Sequence, residues 1–94
     1  MTQKKAKMLE GETSSGFEYK IPEENLNNYE LLEALGEVED NPLAISKTVR
    51  LLLGKEQSDE LKDHLRTENG IVPTDKLVDE IMEIFNGQKE TKNS

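Results

Sequence analysis

Apolar positions follow a period of two at one place in this chain and a helical period at several others. Phe17, Tyr19 and Ile21 alternate with polar residues, which is typical of a β-strand, and Pro22 ends the run. The sequence shows no second strand that would pair with this one. We therefore expect residues 17–21 to form an extended arm that packs on the helices or on a second chain.

Four helices are predicted after the arm, near residues 25–39, 42–53, 57–68 and 75–86. Asn41 followed by Pro42 is a strong start signal for the second helix, because Asn caps helix N-termini and Pro is favoured at the first helical position. Gly54 is expected to end that helix, since glycine is common just beyond a helix C-terminus. The apolar stripe is most continuous in the fourth helix, where it comprises Leu77, Val78, Ile81, Met82 and Phe85.

The first predicted helix has more apolar residues than one stripe needs. We expect Tyr29, Leu32, Leu35 and Val38 to form its main stripe, with Leu26 and Leu31 lying beside it. Either neighbouring helices cover this second apolar side, or the side forms a groove or ridge that docks a partner helix. On the second interpretation, the partner-binding residues are Leu26, Tyr29, Leu31, Leu32 and Leu35.

Both ends of the chain are polar. Residues 1–16 offer only Met8 and Leu9 to a core, and residues 88–94 offer none, so we expect both segments to be flexible. The predicted fold class is therefore all-α: a small four-helix domain over residues 17–87, with a short N-terminal extended arm and disordered ends.

The chain is acidic, with 20 Asp+Glu against 12 Lys+Arg and a net charge of −8. This balance argues against binding to nucleic acid or to an acidic membrane surface, which requires an excess of cations. No apolar run approaches the ~18 residues of a membrane span, and Cys is absent. The acidity is concentrated in residues 21–40, which hold no Lys or Arg and seven carboxylates: Glu23, Glu24, Glu30, Glu33, Glu37, Glu39 and Asp40.

Residue types suited to catalysis are scarce. His64 is the single histidine, and with Glu60 and Asp63 beside it we interpret it as a solvated surface residue rather than a base or a ligand. The carboxylate runs at 37–40 and 79–83 lack the alternating oxygen donors and the glycine turn of a calcium loop. The six glycines are isolated, so no phosphate-binding loop is predicted. We expect no enzymatic activity, no cofactor and no metal site.

Four segments resemble a known protein family: 29–35 (YELLEAL), 51–57 (LLLGKEQ), 61–73 (LKDHLRTENGIVP) and 78–85 (VDEIMEIF). In these segments the chain resembles the small tail assembly chaperones of long-tailed bacteriophages and of prophages of Gram-positive bacteria. The resemblance implies a non-enzymatic, mostly helical protein that binds the tape measure protein and recruits tail tube subunits during tail morphogenesis. It further implies that the protein acts in the cytoplasm of the bacterial host and is not part of the mature virion.

Two further interpretations remain open at this stage. An acidic regulatory protein that mimics DNA and binds a nucleic-acid-binding partner would suit the charge of residues 21–40, although the 12 dispersed cations do not suit a dense anionic row. Homo-oligomer formation is also expected, because the unpaired arm at residues 17–21 and the spare leucines can add to another protomer.

Overall fold

The structure is a computed structural model that describes residues 7–91, with the side chains of residues 7–88. Two strands precede four helices in this part of the chain, and a 3-10 turn, Pro42–Ala44, joins the second helix to the third. The elements are β1 (Met8–Glu12), β2 (Glu18–Pro22), α1 (Glu23–Leu26), α2 (Tyr29–Val38), α3 (Ile45–Leu65) and α4 (Thr74–Thr91). The chain is mostly helical, but the predicted all-α fold class is wrong because β1 and β2 form an antiparallel sheet.

The predicted arm is the second strand of a β-hairpin. Leu9 lies opposite Ile21 and Gly11 lies opposite Tyr19 on the buried face of the sheet. Gly11 leaves the room that the ring of Tyr19 occupies, since a Cβ at position 11 would lie 2.8 Å from Tyr19 Cζ. The prediction of a flexible segment is therefore wrong for residues 7–16, and residues 1–6 lie outside the described part. The arm also has its partner strand within the same chain.

Hydrogen bonds close the hairpin at the loop between its strands. The backbone N–H of Thr13 donates to the carbonyl oxygen of Phe17 at 2.9 Å, and Thr13 Oγ1 accepts from the Phe17 N–H at 3.2 Å. Gly16 has a φ of +93°, a conformation that a residue with a Cβ rarely adopts. The loop turns the chain back so that Phe17, like Tyr19, lies in the core.

Polar side chains of α3 and α4 hold the hairpin in place. The Gln57 amide pairs with the backbone of Lys20, accepting from its N–H at 2.8 Å and donating to its carbonyl at 2.9 Å. Gln88 Nε2 donates to the Tyr19 hydroxyl at 2.7 Å. At the hairpin loop, Glu83 accepts two hydrogen bonds from Ser14, one from the backbone N–H at 2.8 Å and one from the hydroxyl at 2.9 Å.

α3 is broken at Gly54. This residue has φ +83° and ψ 169°, which is outside the helical region and nearly restricted to glycine. The break interrupts the hydrogen-bond ladder of the helix, and side chains supply donors to its carbonyl groups. Asn25 Nδ2 donates to Leu52 O at 2.8 Å, Gln57 Nε2 to Leu53 O at 3.0 Å, and Ser58 Oγ to Gly54 O at 2.6 Å.

The core joins the buried face of the hairpin to α2, α3 and α4. Its largest fully buried apolar side chains are Ile21, Leu31, Leu52, Leu61, Ile81 and Ile84. A domain of this size has a small free energy of unfolding, so truncation of one core side chain lowers it by a measurable fraction.

α4 extends past its predicted end at Asn86 and Gly87 and reaches Thr91. Gly87 does not have a positive φ, so its backbone does not stop the helix. The segment predicted as a flexible tail, residues 88–94, is therefore helical as far as Thr91, and residues 92–94 lie outside the described part. The buried face of α4 includes Ile84, whereas Met82, a predicted core residue, is exposed.

Candidate partner-binding surface

α2 carries most of the residues predicted to bind a partner. Instead of one helix over residues 25–39, the structure has α1 and α2, separated by Asn27 and Asn28. The side chain of Asn28 accepts from the backbone N–H of Glu30 at 2.9 Å and so caps the N-terminus of α2. Asn side chains compete with helical backbone hydrogen bonds, which accounts for a helix boundary at this pair.

The five predicted partner-binding residues fall into three groups by exposure. Leu31 is 0% exposed and packs in the core, so it is not accessible to a partner. Leu26 and Leu35 are half-buried against that core. Tyr29 and Leu32 are exposed, at 70% and 48% of their surface. The accessible part of the predicted set is therefore the pair Tyr29 and Leu32.

The side of α2 that faces the core is not the stripe predicted from the sequence. Residues spaced by three drift by about 60° per step around a helix, so Tyr29, Leu32, Leu35 and Val38 together span about 180°. They cannot all face one neighbour. The set that stays on one side has the spacing i, i+3, i+7, and it comprises Leu31 and Ala34, which are buried, and Val38, which is half-buried.

The opposite side of α2 is what we call the outer face, defined by Tyr29, Leu32 and Gly36. Gly36 follows Leu32 by four residues and Tyr29 by seven, so all three lie within about 60° of one another around the helix axis. All three are exposed. The outer face therefore presents two large apolar side chains followed by a position without a side chain.

Exposed carboxylates flank this face along one side, where Glu33, Glu37 and Glu30 lie about 40–100° from Tyr29 around the helix axis. Of the seven carboxylates in residues 21–40, six are exposed and Glu23 is half-buried. Among the side chains of residues 7–88 the ion pairs join other residues, namely Lys20–Glu10, Lys55–Asp59, Lys62–Asp59 and Arg66–Asp63. The outer face is therefore an apolar strip flanked by carboxylates that form no ion pair among the described side chains.

His64, the one histidine, is exposed and belongs to the hairpin contact. Its Nε2 lies 3.1 Å from the carbonyl oxygen of Ser15 and 3.2 Å from the Ser15 hydroxyl, and its ring centroid lies 5.6 Å from that of Phe17. These contacts hold the hairpin loop against the C-terminal end of α3. Sequence reasoning missed this contact, because nothing in the spacing of the chain indicates that residues 15 and 64 meet.

Asp59 on α3 and Glu80 on α4 are carboxylates outside residues 21–40 with contrasting environments. The Lys62 ammonium that hydrogen-bonds Asp59, together with the nearby Lys55, lowers the pKa of the Asp59 carboxyl below its ordinary value. Glu80 is 6% exposed, and its Oε1 has no hydrogen-bond partner within the described part of the chain. No group of three or more possible metal-ligating side chains occurs in residues 7–91.

Two concave regions lie away from the outer face. An open depression of about 680 Å³ lies along the hairpin, lined by Glu10, Gly11, Glu12, Glu18, Tyr19, Lys20 and Gln57. A smaller one, of about 100 Å³, lies beside the break in α3, and its lining includes the apolar residues Ile45, Val49 and Leu77.

Comparison with protein-family models finds no match, and comparisons with curated proteins and with solved structures find no significant match. Within residues 7–91, no helix combines the length and the apolar character that crossing a membrane requires.

Proposed function

We propose that this protein is a non-enzymatic tail assembly chaperone of a long-tailed phage or prophage. In this role it binds the tape measure protein and recruits tail tube subunits, acts in the cytoplasm of the bacterial host, and is absent from the mature virion. The observation that carries the proposal is the outer face of α2, where exposed Tyr29 and Leu32 lie beside carboxylates that have no ion-pair partner among the side chains of residues 7–88. The resemblance of residues 29–85 to this family adds to it.

The chemistry of the outer face suits a helical partner. Single exposed apolar residues are common on protein surfaces, but Tyr29 and Leu32 have the i, i+3 spacing with which a helix contacts another helix. Leu32 is 48% exposed, so its burial by a partner contributes only about half of the ~1.5–3 kcal/mol for a fully exposed apolar side chain. The flanking carboxylates accelerate association with a basic partner and disfavour an acidic one. A long tape measure helix with apolar positions needs such a cover to stay soluble.

The alternative function is an acidic regulatory protein that mimics DNA. The run of seven carboxylates without a cation in residues 21–40 favours it. A DNA mimic would bind its target through those carboxylates, and Tyr29→Ala and Leu32→Ala would leave that binding nearly unchanged. A chaperone that binds through the outer face would lose its partner with the same two substitutions.

Co-expression tests the proposal. The full chain is produced together with the tape measure and tail tube proteins encoded beside it, and the soluble fraction of each partner is measured. We expect the wild-type chain to keep the tape measure protein soluble and to co-purify with it. The double variant Tyr29→Ala, Leu32→Ala should lose this effect, whereas Ile71→Ala, which also truncates an exposed apolar residue (60% exposed), should retain it.

The proposal fails if neither the tape measure protein nor the tube protein becomes more soluble or co-purifies with the wild-type chain. Gene order offers an independent check: we expect a very long reading frame that encodes a helical protein directly downstream.

A further inference from the structure

Gly36 lies inside α2 although nothing in the described part of the molecule requires a glycine there. Its φ is not positive, and a Cβ at this position would meet no described atom within 4 Å. Glycine is less favourable than every residue except proline in a helix interior. Gly36 therefore weakens a helix in a small domain without relieving a clash or allowing a turn.

The glycines in the hairpin and in α3 have internal reasons that Gly36 lacks. Gly11 leaves space for the ring of Tyr19, and Gly54 adopts a backbone conformation that side chains disfavour. Gly87 in α4 resembles Gly36, since a Cβ there would also meet no atom within 4 Å. Gly36, however, lies on the outer face, directly beyond Leu32, where a partner would approach.

We propose that the outer face of α2 binds a cationic amphipathic helix that crosses α2 at Gly36. This inference rests on the proposed function, in which this face binds a partner. The absence of a side chain lets the two helix axes come close, because the interaxial distance depends on the side chains at the crossing. Tyr29 and Leu32 then pack against apolar side chains of the partner. Lys or Arg residues on one edge of the partner helix lie near Glu33 and Glu37.

A second copy of the same chain does not suit this face. Two outer faces in contact would bring the flanking carboxylates of both copies, Glu30, Glu33 and Glu37, close together, and residues 21–40 contain no Lys or Arg. Like charges at this density oppose association. A partner with cations flanking an apolar stripe removes that repulsion, which is why the proposal commits to a basic helix.

The test uses the full chain and a synthetic helical peptide of about 21 residues, or about six turns. The peptide has Leu and Ala on one face and Lys on both edges, and a control peptide replaces each Lys with Glu. Binding is measured by fluorescence anisotropy for the wild type, Gly36→Ala, Gly36→Leu and Gly87→Ala. Gly87→Ala is the matched control, because it makes the same substitution at an open helical position on another helix.

Gly36→Ala should raise the Tm by about 4–8 °C through improved helix propensity. It should nevertheless weaken binding of the Lys peptide about tenfold, and Gly36→Leu should weaken it further. Gly87→Ala should raise the Tm without changing binding, and the Glu peptide should not bind the wild type. Unchanged or tighter binding by Gly36→Ala overturns the proposal. So does failure of the wild type to bind the Lys peptide, or a change in molecular mass of Gly36→Ala by light scattering, which would indicate a second copy on this face.

These outcomes separate the inference from the proposed function. One outcome is that the wild type co-purifies with the tape measure protein while Gly36→Ala binds both the tape measure protein and the Lys peptide as tightly as the wild type does. In that case the crossing at Gly36 is wrong and the chaperone function stands. If the Lys peptide binds in a Gly36-dependent way but neither the tape measure nor the tube protein is retained, the chaperone function is wrong and the helix-binding surface stands.

Discussion

Substitution of Gly11 by Ala tests the packing of the hairpin most sharply. The added Cβ would lie 2.8 Å from Tyr19 Cζ, closer than a Cβ approaches another carbon in proteins, and 3.2 Å from Tyr19 Cε2, which is also a tight contact. Tyr19 has little freedom to move, because it is buried and its hydroxyl accepts a hydrogen bond from Gln88 at 2.7 Å. Overpacking of this kind costs about 1–3 kcal/mol, and the loss of glycine flexibility in the unfolded chain returns about 0.4–1 kcal/mol.

We therefore expect Gly11→Ala to lower the free energy of unfolding by about 1–2 kcal/mol. Thermal unfolding followed by circular dichroism measures this, and each kcal/mol should lower the Tm by about 4–8 °C. Gly36→Ala is the matched control and should change the Tm in the opposite direction. In a double-mutant cycle, Tyr19→Leu should reduce the cost of Gly11→Ala, since the smaller side chain frees the space. A Gly11→Ala variant as stable as the wild type would refute the close packing of Tyr19 on Gly11.

Three further predictions concern stability and are checked by urea unfolding. Leu31→Ala should cost about 2–5 kcal/mol because Leu31 is fully buried, whereas Leu32→Ala should change stability by less than about 0.5 kcal/mol; equal costs would contradict the orientation of α2. Gly54→Ala should cost about 1–3 kcal/mol, because its backbone conformation is nearly restricted to glycine, and an unaffected midpoint would contradict the break in α3. Glu80→Gln should raise stability by about 1 kcal/mol, because a neutral amide replaces a buried carboxyl group whose Oε1 has no hydrogen-bond partner among the described residues, and a loss would show that this carboxyl group has a partner in solution.

The helical part of the fold was accessible to sequence reasoning where local signals are strong. Asn41 and Pro42, predicted to start the second helix, start the 3-10 turn Pro42–Ala44 that leads directly into α3, and the Asn41 side chain accepts from the Leu43 N–H at 3.2 Å. β1 was not accessible, because its buried face consists of Leu9 and Gly11. Gly11 makes room for the ring of Tyr19, but a glycine does not count as an apolar residue in the alternating pattern that predicts a strand.

The candidate surface was partly accessible from sequence. Its acidity and its excess of apolar residues are visible in the composition of residues 21–40, but the rotation of α2 is not. Leu31 and Leu32 are adjacent and chemically identical, so the spacing of the surrounding residues decides which one faces the core. Ala34 settles the orientation, because it places a second buried position on the side of Leu31.

Site-specific photo-crosslinking tests most directly whether the protein works by offering the outer face of α2 to another chain. A benzoyl-phenylalanine is introduced in place of Tyr29, or in place of Ile71 as the control, in cells that also produce the tape measure and tail tube proteins. We predict that irradiation links position 29, and not position 71, to the tape measure protein. Crosslinks from position 71 alone, or none from position 29 in a complex that co-purifies, would contradict the assignment of this face.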